Sequence, residues 1–130
     1  MTRMNVRELD VLNILWRHDE PLTAIDIVNE RKELTQSTVT AVLRKLLKNG
    51  LVQVEGVTHS GKVLSRTYRP TEASRDAIME NFKEDYRSFT NVISESSLCA
   101  AILTENEDKD KAKAEIKRLK AMLKEYEKGL

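Results

Sequence analysis

Residues 35–50 read Thr35-Gln36-Ser37-Thr38-Val39-Thr40-Ala41-Val42-Leu43-Arg44-Lys45-Leu46-Leu47-Lys48-Asn49-Gly50, and this stretch decides the fold. Val39, Val42, Leu43 and Leu46 recur at i, i+3, i+4 and i+7, the spacing that lines up apolar side chains on one helical face. Thr35 is an N-cap residue whose hydroxyl can accept from a first-turn N–H, and Gly50 follows Lys48-Asn49 as a C′ glycine. The spacing therefore predicts a helix from Gln36 to Asn49. Its opposite face carries Ser37, Thr40, Ala41, Arg44 and Lys48, with Lys45 at the edge. Small polar groups occupy the first turns and cations the last, which suits a helix entering a DNA major groove N-terminus first. Ser37 and Thr40 can hydrogen-bond base edges or phosphates, and the methyls of Thr40 and Ala41 can touch a thymine methyl. Arg44 can reach guanine or phosphate, and Lys48 a phosphate. The plain alternative is a solvated amphipathic face, the commonest fate of such charges.

Outward from this helix, the pattern changes period. Leu51 to Val57 and Val63 to Arg69 read as strands, joined by the polar loop Thr58-His59-Ser60-Gly61-Lys62. Lys62, Arg66 and Arg69 add cations to this hairpin. Residues 36–69 hold 6 basic side chains and 1 acidic one, Glu55, for a net of +5, although the whole chain carries only +1. A phosphate backbone is the polyanion that such a strip fits. The plain alternative is a hairpin kept soluble by charges on its edges. On the N-terminal side, Val6 to His18 is a helix with Leu9, Leu12 and Trp16 in its stripe, widened by Val11, Ile14 and Leu15. Asp19-Glu20-Pro21 stops it. Leu22 fits a very short strand. Thr23-x-x-Asp26 resembles a capping box that opens a second helix with Ile25 and Val28 inward. Helix, short strand, helix, helix and hairpin is the order of a winged helix.

Beyond Pro70-Thr71-Glu72 the chain turns helical again. Ile78, Phe82, Tyr86, Phe89 and Ile93 form one apolar series, and Leu98 to Leu103 follows a serine-rich break. From Lys109 to Lys128, Ala112, Ile116, Leu119, Leu123 and Tyr126 make a narrow heptad seam. A seam of this length needs a partner surface. The expected fold class is mostly α with a small β-hairpin: a winged helix-turn-helix domain over residues 1–70 and a helical dimerisation region over 71–130.

Composition narrows the function. The 130 residues are 40% hydrophobic and 33% charged, which excludes collagen-like and low-complexity chains. No apolar run can span a bilayer, and the first residues lack the apolar core of a secretory signal. A cytoplasmic protein without membrane association is the default expectation. The single cysteine, Cys99, allows no internal disulfide and no thiolate metal site of its own, and it reads as packing. His18 at a helix end and His59 in the wing loop lack partners at ligand spacing. Gly56-x-x-x-x-Gly61-Lys62 matches the start of a phosphate-binding loop, but Val63 stands where a Mg²⁺-binding Ser or Thr belongs, and a strand follows instead of a helix. No nucleophile–base arrangement can be argued. The chain is read as a non-enzyme with no metal and no cofactor.

Glu8-Leu-Asp-Val-Leu-Asn-Ile-Leu-Trp16, Thr35-x-x-Thr38-Val39, Leu46-x-Lys48-x-Gly50-Leu51-Val52 and Tyr68 stand in order and at fitting separations. Through these blocks residues Glu8 to Pro70 resemble the winged-helix domain of the penicillinase and methicillin-resistance repressor family, which includes copper-responsive repressors. The helical half resembles that family more loosely. The resemblance implies a bacterial transcriptional repressor that binds, as a homodimer, double-stranded operators with dyad symmetry of the TACA…TGTA type. It implies that Thr38, Thr40, Ala41, Arg44 and Lys45 lie in the recognition helix and that the C-terminal helices dimerise. The apolar positions offered for dimerisation are Phe82, Tyr86, Phe89, Ile116, Leu119, Leu123 and Tyr126. Three departures stand out. Gln36 replaces the family's proline after the N-cap. The copper branch carries paired cysteines near its C-terminus, whereas Cys99 stands alone in this chain, which argues against copper sensing through that site. The β-lactam-responsive branch is cut at an Asn-Phe bond, where this chain has Ala101-Ile102; its Asn81-Phe82 pair lies earlier. The inducer, and any regulatory protease, are therefore left open. The rival reading is a winged-helix adaptor that binds protein through the seam from Ala112 to Tyr126.

Overall fold

The computed structural model describes residues 3–60 and 62–130. Gly61, which belongs to both the expected wing loop and the phosphate-loop match, lies outside the described residues, as do Met1 and Thr2. The described residues form α1 (Val6–Arg17), α2 (Ala24–Glu30), α3 (Gln36–Lys48), β1 (Val52–Ser60), β2 (Val63–Pro70), α4 (Glu72–Arg87), α5 (Glu95–Leu103) and α6 (Lys109–Lys128). The chain divides into two compact units, residues 1–84 and 85–130.

The first unit is a winged helix. Its core gathers Val11, Leu12, Ile14 and Leu15 from α1, Ile27 from α2, Leu34, and Val39, Leu43 and Leu46 from α3, all at most 1% exposed. Each of the first three helices starts on a side-chain cap. Asn5 and Glu8 form a reciprocal capping box on α1, Thr23 and Asp26 form another on α2, and the Thr35 hydroxyl accepts from the Thr38 N–H on α3. These caps satisfy N–H groups that have no intrahelical partner. Gly50 ends α3 with φ 74°, the left-handed turn that glycine adopts at low cost. Leu22 forms the expected short bridge, to Tyr68 of β2, and so ties the α1–α2 connection to the wing.

The structure corrects the expectations in several places. On α2, Ile27 takes the buried position and Ile25 is 36% exposed, because a helix of only 7 residues presents one narrow face to the core. The wing strands are longer than expected. Thr58, His59 and Ser60 pair with Ser65, Leu64 and Val63, so most of the expected loop is strand. A bulge between Val54 and Gly56 leaves Glu55 as the extra residue. The first compact unit runs to residue 84 and takes in most of α4, which packs on it through Ser74, Ala77 and Asn81. The Trp16 indole N–H donates to Ser74 Oγ at 2.9 Å, Ser74 in turn donates to the Thr71 carbonyl, and Met4 N–H donates to Asn81 Oδ1 at 3.2 Å. The buried face of α4 is thus its small and polar one, and Phe82 stays 65% exposed.

Helix α4 ends at Arg87, so Phe89 and Ile93 lie in the turns beyond it rather than on a continued helix. In the second unit the Tyr86 hydroxyl donates to the Ile93 carbonyl at 2.7 Å and closes that turn. Desolvation, and then the Glu95 carboxylate, hold this phenol above its ordinary pKa. Ser94 caps α5 and Asp108 caps α6. Leu98, Cys99 and Leu103 on α5 and Ala112 and Leu119 on α6 are half-buried where these two helices pack. No helix among the described residues is long and apolar enough to cross a membrane.

Candidate nucleic-acid interface

The face of α3 opposite the core is polar along its length. Ser37, Thr40, Ala41, Arg44, Lys45 and Lys48 are exposed, and Thr38 is half-buried. Gln36, Ser37, Thr40, Ala41 and Arg44 line one shallow open depression. The cap organises its first turn. Thr35 Oγ1 donates to Thr38 Oγ1 at 2.9 Å and lies 3.3 Å from Ser37 Oγ. Thr38 is therefore an inner member of the cap, whereas the side chain of Thr40, two residues on, is unengaged among the described residues.

The cations sort into two groups. Arg44, Lys48, Lys62 and Arg66 are exposed and make no hydrogen bond or ion pair with the described residues. Lys45 and Arg69 are engaged. The Lys45 ammonium lies 3.3 Å from Glu8 Oε1, and the Glu8 side chain is only 5% exposed. The same carboxylate accepts from Asn5 N–H at 3.2 Å, so Lys45 joins α3 to the capping box of α1. Arg69 pairs with Glu55 at the bulge and donates to the Asp19 carbonyl at 2.7 Å, which braces the base of the wing. Glu55, the one acid in the strip, is thereby neutralised. On the wing, Val57 with Arg66 and His59 with Leu64 are cross-strand pairs, and side-chain alternation puts the two pairs on one face. His18, far from this surface in sequence, sits 3.0 Å from Glu30.

The sequence profile of the penicillinase repressor family matches residues 5–125. The chain belongs to the penicillinase repressor family. Its fold is that of winged-helix regulators. It is similar to Bacillus subtilis PadR in complex with operator DNA, at 17% identity and a TM-score of 0.52, with 95% of this chain and 77% of that one covered. It is also similar to a single-site mutant of S. aureus MepR bound to oligodeoxyribonucleotide, at 19% identity and a TM-score of 0.51, covering 92% and 80%. A comparison with curated protein sequences gives no significant match.

As a penicillinase repressor family member the chain is a transcriptional regulator. One of its departures from the family acquires a structural setting. Asn81-Phe82 lies inside α4 with Asn81 buried, and Ala101-Ile102 lies inside α5. Two residues that sequence reasoning left out of the site stand beside it. Glu8 sits at N3 of α1, and the pattern Asn5-x-x-Glu8 was the available signal. Gln36 is the first residue of α3, and its spacing of four from Thr40, and of eight from Arg44, was the available signal for its place in the depression.

Proposed function

We propose that this chain is a sequence-specific DNA-binding repressor acting as a homodimer on a dyad-symmetric operator. Each protomer lays α3 in a major groove, with the wing along the adjacent backbone. The observation that carries the reading is the coincidence of four cations unengaged among the described residues, Arg44, Lys48, Lys62 and Arg66, with the solvent face of the capped helix α3 and its wing. Arg44 and Lys48 stand on α3 and Lys62 and Arg66 on the hairpin, so the two elements present unengaged positive charge together. Ser37, Thr40 and Ala41 supply short groups for base edges, Arg44 a fork for guanine, and Lys48, Lys62 and Arg66 phosphate contacts. Thr38 serves through the cap, and Lys45 through Glu8. PadR and MepR, whose folds this chain shares, are found on operator DNA and on an oligodeoxyribonucleotide, which supports the reading. The apolar seam of α6 is the proposed dimer contact, and half-sites about 34 Å apart follow for a dyad dimer.

Fluorescence anisotropy at several salt concentrations tests the proposal, comparing a TACA…TGTA duplex with a scrambled one. The expected result is preference for a dyad, two protomers per duplex, and a log–log salt slope of roughly −4 to −8. A slope near zero on every duplex would sink it. The rival is a protein-binding adaptor, favoured by the exposure of Leu123 and Tyr126 on α6. It predicts weak binding without sequence preference, even after unbiased selection of duplexes.

A further inference from the structure

The first turn of α3 contains one side chain that carries both a donor and an acceptor and uses neither. Gln36 is exposed and makes no hydrogen bond with the described residues. The hydroxyls around it are differently placed: Thr35, Ser37 and Thr38 are linked to one another through the cap. Gln36, Thr40, Arg44 and Lys48 also form one i, i+4 row, so consecutive members are neighbours on the helix surface. The first three line the same depression with Ser37 and Ala41. At the end of this row lies the helix N-terminus, the part of a recognition helix that goes deepest into the groove.

We infer that Gln36 reads an adenine in each half-site. This rests on the DNA-binding reading above and adds a specificity residue to it. A carboxamide offers an acceptor to the adenine N6 amine and a donor to N7, a bidentate match that no other base edge in the major groove presents in that order. Thymine at the paired position shows an acceptor and a methyl, and guanine shows two acceptors. The row then orders its chemistry along the groove: an amide for adenine, a hydroxyl and methyl at Thr40, a guanidinium at Arg44, and a phosphate contact at Lys48. Local structure permits the assignment. The N1 position tolerates many residues because its N–H has no helical partner, so the amide is free of any structural duty. The backbone carries the cap, and the side chain is left for the ligand.

The test starts from the duplex that the unmodified full-length protein selects from a random pool. Anisotropy then measures every single base-pair variant of that site against the wild type and against Gln36→Ala. The expected result is that Gln36→Ala loses discrimination at one A·T pair per half-site, by about 5- to 100-fold, and keeps it elsewhere. Replacing that adenine with 7-deazaadenine, which lacks the N7 acceptor, should weaken the wild type by a similar factor and leave Gln36→Ala nearly unaffected. Gln36→Pro, which suits N1, should keep the fold and behave like Gln36→Ala. If Gln36→Ala keeps the full preference profile while the wild type remains sequence-specific, the assignment falls and the repressor reading stands. If the wild type selects no site, both fall together.

Discussion

Arg44 and Lys48 are neighbours on one helix row, yet they are expected to fail differently when removed. Arg44 lines the depression near the middle of α3, and its guanidinium has no partner among the described residues. A fork of donors there can take both acceptors of a guanine. Lys48 is the last residue of α3, beside Asn49 and Gly50, where the backbone turns away toward the wing. A point charge at that place meets phosphate rather than base. Arg44→Ala is thus expected to cost about 1–3 kcal/mol on the preferred site and much less on a scrambled one, so the specificity ratio collapses. Lys48→Ala is expected to weaken both duplexes alike and to reduce the salt slope by roughly one per contact. Titrating both variants on both duplexes at several salt concentrations decides the matter. Equal losses for Arg44→Ala on the two duplexes would make it a phosphate contact.

At the scale of elements, α3 is oriented from both ends. Thr35 fixes its start, and Lys45 near its end reaches the nearly buried Glu8 of α1. Removing the ammonium leaves a carboxylate with little access to water and only the Asn5 N–H as partner, so Lys45→Met is expected to destabilise the fold by about 1–3 kcal/mol. Because this cation is engaged with Glu8, the salt slope of DNA binding should not change. A thermal melt and a salt titration check the two halves together; an unchanged melt with a slope reduced by one would make Lys45 a phosphate contact instead. The same pair marks what a sequence can reveal. Helix α3 is legible because a single buried face imposes its period on Val39, Leu43 and Leu46, and because Thr35 and Gly50 act locally. The Glu8–Lys45 contact is not, since it joins residues far apart in sequence through the packing of α1 against α3. Helix α4 misleads for a related reason. Its large apolar residues point to Phe82, whereas it packs through Ser74, Ala77 and Asn81, and the polar atoms of Ser74 and Asn81 find partners in Trp16, Thr71 and Met4. The wing strands outrun their predicted length because Thr58, His59 and Ser60 read as loop by composition but find ladder partners in β2.

For the molecule as a whole, the decisive quantity is how many protomers meet the DNA. The second unit carries more exposed apolar surface than a lone helical pair needs: on α6, Leu123 is 55% and Tyr126 67% exposed, and Ile116 also faces solvent. These three, with half-buried Leu119, fall on one heptad seam, and a 20-residue helix of this kind is stabilised chiefly by what covers that seam. A second copy is the proposed cover. Its consequences reach the DNA, because linking two reading heads turns the second binding event into an intramolecular one. Leu123→Glu combined with Tyr126→Glu is expected to halve the mass measured by sedimentation, while circular dichroism keeps the signal of the folded first unit. The isolated half-site affinity should be nearly unchanged, since residues 3–84 hold α3 and the wing with their own core. On the full dyad the salt slope should fall to about half its dimer value, because each complex then neutralises half as many phosphates. A variant that stays dimeric would move the contact to another surface, with Phe82 on α4 and Phe89 in the turn after it the next positions to change. A wild type that sediments as a monomer and still prefers the dyad would remove the seam from the mechanism, and two independently bound protomers would then have to account for the symmetry.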